Sequence, residues 1–322
     1  MPLESAPRIS VIIPAYRVTE YIAETLDSVL AQTFTDYEIV VVNDGCPDTA
    51  ALERVLAPYR EKIVYLKREN GGLSAARNTA IAAARGEFLA LLDGDDAWEP
   101  GYLAYQVGVM EADPAAAVVY SNGVVFGDSP QAGSLLMDLS PSEGPADFAA
   151  IVQMRCQVMV SAMARREAVV RAGMFDPKLR AVEDFDLWLR MTLGGGKIVY
   201  HRKPLLRYRR RAGSLSSNSV WMRQGALRVL EKIERQFSLT PTDRAALEEA
   251  KARFQADIEY FEGRDALAKG DVQVAIRRLS AANRHLRQRG LALKILMLRL
   301  FPRFTLALAR RRDASPSSPP TK

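Results

Sequence analysis

The stretch Leu91-Leu92-Asp93-Gly94-Asp95-Asp96-Ala97-Trp98-Glu99-Pro100 sets three aspartates within four positions, directly after the apolar run EFLALL. Carboxylates at the end of a buried strand repel one another and resist burial. Two readings satisfy that constraint. Clustered oxygen ligands suit a hard divalent cation, Mg²⁺ or Mn²⁺. An aspartate-rich segment also makes a solvated turn or a helix cap. Taken alone, the stretch does not choose between them.

Other residues could share in chemistry. Gly71-Gly72 leads into LSAARNTAIAAARG, a helix read as capped by Ser74 and ended by Gly86, with Arg77 in its first turn. Free N–H groups and the helix dipole favour an anion there, and arginine can grip a phosphate through two donors. An ordinary cap beside a surface arginine has the same sequence. Asp44 ends the run YEIVVVND and could accept hydrogen bonds from a base or ribose, or close a turn. Glu183-Asp184 opens a helix whose other face is Phe185, Leu187, Trp188 and Leu189. Of two adjacent acids, one partly buried can act as a general base, or the pair can complement the helix dipole. The chain has neither a phosphate-loop lysine motif nor a GxGxxG turn, which argues against an NTPase and a dinucleotide dehydrogenase.

These residues must be held by elements. RISVIIPAY, YEIVVVNDG, KIVYLKREN and GEFLALL read as buried strands. TEYIAETLDSVLAQ reads as a helix with Ile22, Leu26, Val29 and Leu30 on one face and Thr19 as N-cap. Apolar strands alternating with helices predict a parallel sheet covered on both faces. Ligands of such sheets sit outside the carboxyl ends of the strands. Those ends carry Pro14-Ala15-Tyr16, Asn43-Asp44-Gly45, Asn70-Gly71-Gly72 and Asp93-Gly94-Asp95-Asp96, so the unusual residues share one rim. From about Val118 to Ser219 the pattern is mixed. AVEDFDLWLRMTLGGG and the basic loop LLRYRRRAGSLS stand out there.

With 48% apolar and 25% charged residues among 322, the composition is that of a soluble globular protein. Two cysteines, Cys46 and Cys156, fit a reducing compartment and exclude a disulfide framework or thiolate zinc site. No signal peptide or spanning helix fits the start, MPLESAPR, whose first apolar run stops at Pro14. The formal charge of +6 is concentrated. Arg277 to Arg312 holds eleven Arg or Lys and no Asp or Glu, leaving −5 for the rest. Helical pattern runs from Trp221 to about Arg312, and SPSSPPTK is too rich in Pro and Ser to order. The expected division is 1–220, 221–312 and a disordered 313–322.

PAYRVTEYIAETLDSVLAQT, VVNDGCPDT, NGGLSAARNTAI, LDGDDAWEP, EDFDLWLR and YRRRAGSLS follow one another here in the order and rough spacing of the family 2 glycosyltransferases. The chain resembles that family over about residues 8 to 220. The resemblance implies the GT-A fold: a Rossmann-like, mixed but mainly parallel α/β sheet flanked by helices, here with a C-terminal helical extension. It also implies inverting transfer of a sugar from a nucleotide-sugar to an acceptor hydroxyl. Carried over, Pro14, Ala15, Tyr16 and Asp44 hold the base, which by family habit is uracil, with guanine and thymine left open. Asp93 and Asp95 are the DxD pair on the ribose and the metal-bound diphosphate. Asp95 and Asp96 are the ligands of Mn²⁺ or Mg²⁺. Arg77 sits near the donor's phosphates or sugar, Asp184 is the catalytic base, and Glu183 positions acceptor or donor. Arg211 stands where the family often has His, and Cys46 where it commonly has Ser. Arginine cannot ligate a metal but can neutralise diphosphate oxygens. Arg209, Arg210 and Arg211, with Ser214 and Ser216, therefore make either a lid over the donor or a basic surface loop. His201 matches no family ligand position and reads as structural.

In the extension, Ala268, Gly270, Asp271, Ala275, Leu279 and Ala282 resemble one tetratricopeptide helix pair. One pair cannot build a solenoid, so a helical hairpin is expected. RGLALKILMLRLFPRFTLALARRR follows, Leu-dense, with Lys294, Arg299, Arg303 and Arg310 to Arg312 interspersed and Pro302 as an expected kink. Such a helix lies on an anionic membrane surface, or docks on its own domain with the basic residues outward. No nucleic-acid-binding module is recognisable. Attachment of residues 277–312 to the cytoplasmic face of the plasma membrane suits a glycan or lipid-linked acceptor, by analogy with the family. Two rivals remain at this stage. A sugar nucleotidyltransferase normally wants a Gly-rich, lysine-bearing N-terminal signature, and PAYRVTEY is not one. A non-catalytic interaction module with a decayed rim sits poorly with intact Asp93, Asp95 and Asp184.

Overall fold

The computed structural model describes residues 6–211 and 218–302. Ser214, Ser216, Arg303, Arg310 to Arg312 and the 313–322 tail lie outside the described residues. Eight strands form one sheet: β1 (Ile9–Ala15), β2 (Tyr37–Asp44), β3 (Val64–Arg68), β4 (Phe88–Leu91), β5 (Ala97–Trp98), β6 (Ala116–Gly127), β7 (Ala162–Arg165) and β8 (Lys197–Arg210). Their order is β3-β2-β1-β4-β7-β6-β8-β5. The helices are α1 (Ile22–Leu30), α2 (Thr49–Leu56), α3 (Leu73–Ala83), α4 (Tyr102–Ala112), α5 (Leu136–Leu139), α6 (Phe148–Val152), α7 (Arg166–Arg171), α8 (Glu183–Leu193), α9 (Ser219–Gln236), α10 (Pro241–Ala268), α11 (Val272–Leu286) and α12 (Arg289–Leu300).

The four strands expected in the first hundred residues are present, and β1 to β4 run parallel. Both their faces are buried. Ile12, Val40 and Val42 enter one apolar layer, while Val11, Ile13, Ile39 and Val41 enter the other. That is why the runs read as continuously apolar rather than alternating. The mixed region supplies β6, β7 and β8. Strand β7 is antiparallel to both β4 and β6, and β5 is antiparallel to β8. The sheet is therefore mixed rather than purely parallel.

Three local expectations change. Thr19 does not cap α1, because its hydroxyl donates to Asp48 Oδ2 at 2.5 Å and the helix begins at Ile22. Ser74 lies in the first turn of α3, whose N-cap is Gly72, and that helix ends at Ala83, short of Gly86. Leu205 to Arg210, read as part of a basic loop, form the end of β8. Helix α12 ends at Leu300, and Phe301 interrupts the helical run beside Pro302, where a kink was expected.

The boundary drawn at residue 220 is not a break in packing. Val229, Leu230 and Ile233 of α9 and Leu247, Ala250 and Phe254 of α10 share one buried cluster with Ile12 and Trp188. A separate cluster forms only further on, from Ala266, Leu267, Ala275, Leu279, Leu291, Ile295 and Leu298. So α9 and the first half of α10 complete the sheet's own core. The rest of α10 packs with α11 as the expected hairpin, turned by Gly270 at φ +84°.

Candidate active site

The carboxyl ends of β1, β2 and β4 open on one side, and the start of α8 and the end of β8 reach them. Arg77 on α3 is the hub. Its guanidinium is 1% exposed and donates through Nη1 to Glu183 Oε1 and through Nη2 to Asp93 Oδ1, each at 2.6 Å. Its Cζ lies 5.2 Å from the centre of the Phe175 ring. Burial works against the charge, but Asp93 and Glu183 outweigh it, so Arg77 is held more firmly protonated than usual. One cation thus ties the aspartate turn to the acids that open α8.

Several contacts place α8. Asn78 of α3 bonds the backbone of Phe175 in both directions, at 2.8 and 3.0 Å. Lys232 of α9 pairs with Asp176 at 2.6 Å and with the fully buried Asp186 at 2.8 Å. Val182, at φ +55°, turns the chain into the helix. A β-branched residue is strained there, by roughly 1–3 kcal/mol. It packs toward Gly225 of α9, where a Cβ would stand 3.0 Å from the Val182 side chain. Asp184 is partly buried beside Glu183. Burial first, then the Glu183 charge, pushes its carboxyl up to about 7, with Arg77 opposing.

The aspartates after β4 divide into two kinds. Asp93 and Asp95 keep 29% and 20% of their side chains open, and each meets an arginine: Arg77 on Asp93, and Arg211 Nε on Asp95 Oδ2 at 2.8 Å. Burial and the Asp93 charge raise the Asp95 carboxyl. Asp96 is 3% exposed and accepts the Arg209 backbone N–H at 2.7 Å. Burial, together with both neighbouring aspartates, holds it well above the usual carboxylate range. So enclosed, Asp96 latches the turn onto β8 through the Arg209 backbone and keeps little open surface. Replacing Asp96 with Asn, which can accept the same bond and has no charge to bury, should leave turnover nearly unchanged and melt at or above the parent at neutral pH. Asp96→Ala strands the Arg209 N–H and should cost about 1–3 kcal/mol. Loss of turnover in a folded Asp96→Asn would give Asp96 a role beyond this latch.

Arg209 has partners of its own. Its Nε donates to the Asp95 carbonyl at 2.7 Å, its Nη2 pairs with Glu24, and its guanidinium lies over Tyr21 and Phe126. These partners hold it against the fold beside the aspartate turn. Arg210 pairs with Gln131. Of the three arginines, Arg211 alone reaches an open aspartate. The antiparallel register Ala97↔Arg207 explains this, since it carries the end of β8 back alongside Asp95 and Asp96.

Asp44 is 2% exposed and accepts from Gly71 N at 3.0 Å and Gly72 N at 2.8 Å, while Arg68 pairs with it at 3.0 Å. The Gly71 and Gly72 N–H groups expected to hold an anion are therefore already bonded. Asp44 serves here as the organiser of that turn, and contact with a base would require this set to open. Gly72 adopts φ +87°. A Cβ on Gly45, at φ +64°, would stand 2.6 Å from Asn70 N, so both positions need glycine. Pro14 and Ala15 are buried in β1, and Tyr16, 39% exposed, presents the open side chain of that strand end. Cys46 is buried, with its thiol against Asp48 at 2.7 Å, and burial raises its pKa. His201 bonds Gln106 at 3.0 Å between β8 and α4, and burial pushes it down to about 4.

Sequence reasoning missed Arg68, Arg180 and Lys232. Arg180 is exposed, and its Nη1 lies 3.6 Å from where a Gly72 Cβ would sit. Its place three residues before Glu183 was a weak clue. Arg68 and Lys232 act through partners distant in sequence and left no local signal.

Residues 10–171, half of the chain, match the model of glycosyl transferase family 2, and the chain belongs to that family. An uncharacterized glycosyltransferase of Rickettsia prowazekii is 27% identical over 268 residues, 80% of each chain. Glycosyltransferase GlyA of Streptococcus pneumoniae serotype 4 is 32% identical over 235 residues, 66% of this chain and 32% of that one. An uncharacterized glycosyltransferase of Rickettsia felis is 31% identical, with this chain spanning 31% of its length. Two of these relatives are thus about three times as long as the region shared. Among solved structures, residues 1–349 of Staphylococcus aureus TarS in complex with UDP-GlcNAc superpose with TM-score 0.62, at 20% identity, over 95% of this chain and 88% of that one. The mannosyltransferase PcManGT of Pyrobaculum calidifontis, in complex with GDP-Man and Mn²⁺, gives TM-score 0.64 at 19% identity, over 97% and 88%. The fold is that of the GT-A glycosyltransferases. The protein is a glycosyltransferase, and the nucleotidyltransferase reading falls away.

Proposed function

We propose that this transferase is inverting and metal-dependent, and that it moves a sugar from a nucleoside-diphosphate donor, a UDP-sugar, to an acceptor hydroxyl. The observation that carries the reading is Arg77, a buried cation that holds Asp93 of the strand-end turn and Glu183 of α8 at 2.6 Å each. It brings the donor-side carboxylates and the candidate base Asp184 to one rim.

The residues suit a divalent cation in part. Asp93 and Asp95 offer hard oxygens; burial first, and then the Asp93 charge, raises the Asp95 carboxyl, and a cation would offset both. No group of three or more potential ligands occurs among the described residues, so donor oxygens would have to complete the set. When bound, the cation supplies neutralisation of charge growing on the leaving diphosphate. The chain's own residues do the rest. Arg211 lies on Asp95 and is placed to shift onto a diphosphate oxygen as the site fills. Arg77 fixes Asp93 and Glu183 and so sets the distance between donor and base. Asp184 accepts the acceptor's hydroxyl proton as that oxygen attacks the anomeric carbon from the face opposite the diphosphate. A single displacement inverts that centre.

The acceptor we propose is a glycan or lipid-linked sugar at the cytoplasmic face of a membrane, in the assembly of a cell-surface polysaccharide or glycolipid. No helix among the described residues is long and apolar enough to cross a membrane. The test is the melting temperature with UDP, GDP or dTDP, each with Mn²⁺, Mg²⁺ or EDTA. UDP with a cation should raise it by mass action, by an amount equivalent to about 2.7 kcal/mol at a hundredfold excess over Kd. Equal shifts with EDTA would remove the metal, and no shift with any diphosphate would remove the donor site.

A further inference from the structure

Helix α12 carries two apolar faces. Leu291, Ile295 and Leu298 are buried in the cluster shared with α10 and α11. On the opposite side, Leu293, Leu296 and Leu300 recur at i, i+3 and i+7, with Phe301 just beyond. They are 61%, 49%, 60% and 56% exposed. Four of the eight exposed large hydrophobic side chains among the described residues thus fall within nine positions. Exposed apolar side chains scattered singly need no explanation, but a contiguous stripe marks an interaction surface.

The charges on the same helix choose among occupants. Arg289, Lys294 and Arg299 are its only ionisable residues, and Arg277 to Arg312 holds eleven basic residues and no acidic one. A second copy meeting this face through a twofold axis would set like charges against like. An anionic lipid surface offers the opposite sign together with an apolar layer beneath its headgroups. Twelve residues of helix rise about 18 Å, too short to span a bilayer but enough to lie in its surface.

We propose that α12 docks in the plane of an anionic bilayer. Leu293, Leu296, Leu300 and Phe301 enter the acyl boundary, and Arg289, Lys294 and Arg299 lie among the headgroups. This deepens the proposed transfer to a membrane-borne acceptor and rests on it for its purpose. It narrows the contact from a long basic segment to one stripe. The face of α12 that packs on α11 stays in place, so the protein binds as a folded unit.

Flotation of the full chain with vesicles of phosphatidylcholine, alone or mixed with phosphatidylglycerol, tests the inference. The protein should float with the mixed vesicles and release as salt rises. The triple variant Leu293→Ser, Leu296→Ser, Leu300→Ser changes only exposed side chains and should partition roughly tenfold less or worse. Arg289→Gln and Lys294→Gln should each reduce partitioning roughly fivefold. Equal flotation of parent and triple variant, or none with either vesicle, overturns the proposal. So does a dimer, seen by light scattering, that the triple variant abolishes, since the occupant is then a second copy. The nucleotide-dependent melting shift of the triple variant keeps the two readings apart. If that shift persists while flotation fails, only the docking falls. If the shift is missing in the parent as well, the transferase reading fails on its own.

Discussion

Asparagine at position 184 lowers the transfer rate on the order of 10³-fold, the middle of the range for a positioned general base, and leaves the nucleotide-dependent melting shift in place. The amide matches the carboxylate in shape but cannot take a proton. In the parent protein, burial and the adjacent Glu183 raise the Asp184 carboxyl to about 7. Only the ionised form accepts the acceptor proton, so kcat/KM should climb as pH rises through about 7 and then level. The stability effect has the opposite sense. A carboxyl with a raised pKa binds more protons folded than unfolded, so stability is lost as pH rises from the unfolded value toward 7. Asp184→Asn has no charge to bury, so it should melt higher than the parent at pH 8 and about equally at pH 4. An inactive variant that is also more stable marks a site built for chemistry rather than for packing. Unchanged turnover, or a rate profile flat from about pH 5 to pH 8, would remove Asp184 as the base.

Arg77→Ala should be the most destabilising single change at the rim. It strands Glu183, whose side chain is 8% exposed, as an unpaired buried charge. Removing one partner of a buried pair costs about 3–5 kcal/mol. For a domain of this size that corresponds to a fall of roughly 10 °C in melting temperature. Arg77→Gln combined with Glu183→Gln should recover part of the loss, because the stranded charge is gone. Arg77→Lys separates position from charge. An ammonium keeps the positive charge but lacks the planar fork that meets two carboxylates at once. Its stability should stay near the parent's while turnover falls, since Asp93 and Glu183 are no longer held at a fixed separation. If Arg77→Ala melts within about 2 °C of the parent, the pairing contributes little and the hub assignment is wrong.

Much of this architecture was legible in the linear chain. Strands β1 to β4 announced themselves because a strand buried on both faces must be apolar throughout, and helices α1, α3 and α8 because their apolar residues recur with the helical period. The convergence of Tyr16, Asp44, Gly71-Gly72 and Asp93 to Asp96 on one rim followed from parallel strands sharing a direction. Strands β5 to β8 were not legible, and the end of β8 reads in sequence as a basic loop. Strands β5 and β7 have four residues or fewer and take their place from neighbours, while β6 and β8 pair with register shifts that break any simple pattern.

Residue types and spacing by themselves determined which carboxylates and arginines stand at the rim, since loop chemistry is local and sequence order fixes which strand end carries what. Only the tertiary structure decided how they are partnered. Glu183 lies 106 positions from Arg77, and Asp96 lies 113 from Arg209. The packing of α3 against the chain leading to α8, and the antiparallel return of β8 beside β5, put those groups in contact. That packing also builds Asp96, Arg209 and Asp44 into the frame of the rim, through bonds to the Arg209 backbone, Glu24 and the Gly71-Gly72 turn. A guanidinium or carboxylate takes whichever partner lies within about 3 Å in a buried place, and no local periodicity encodes that distance.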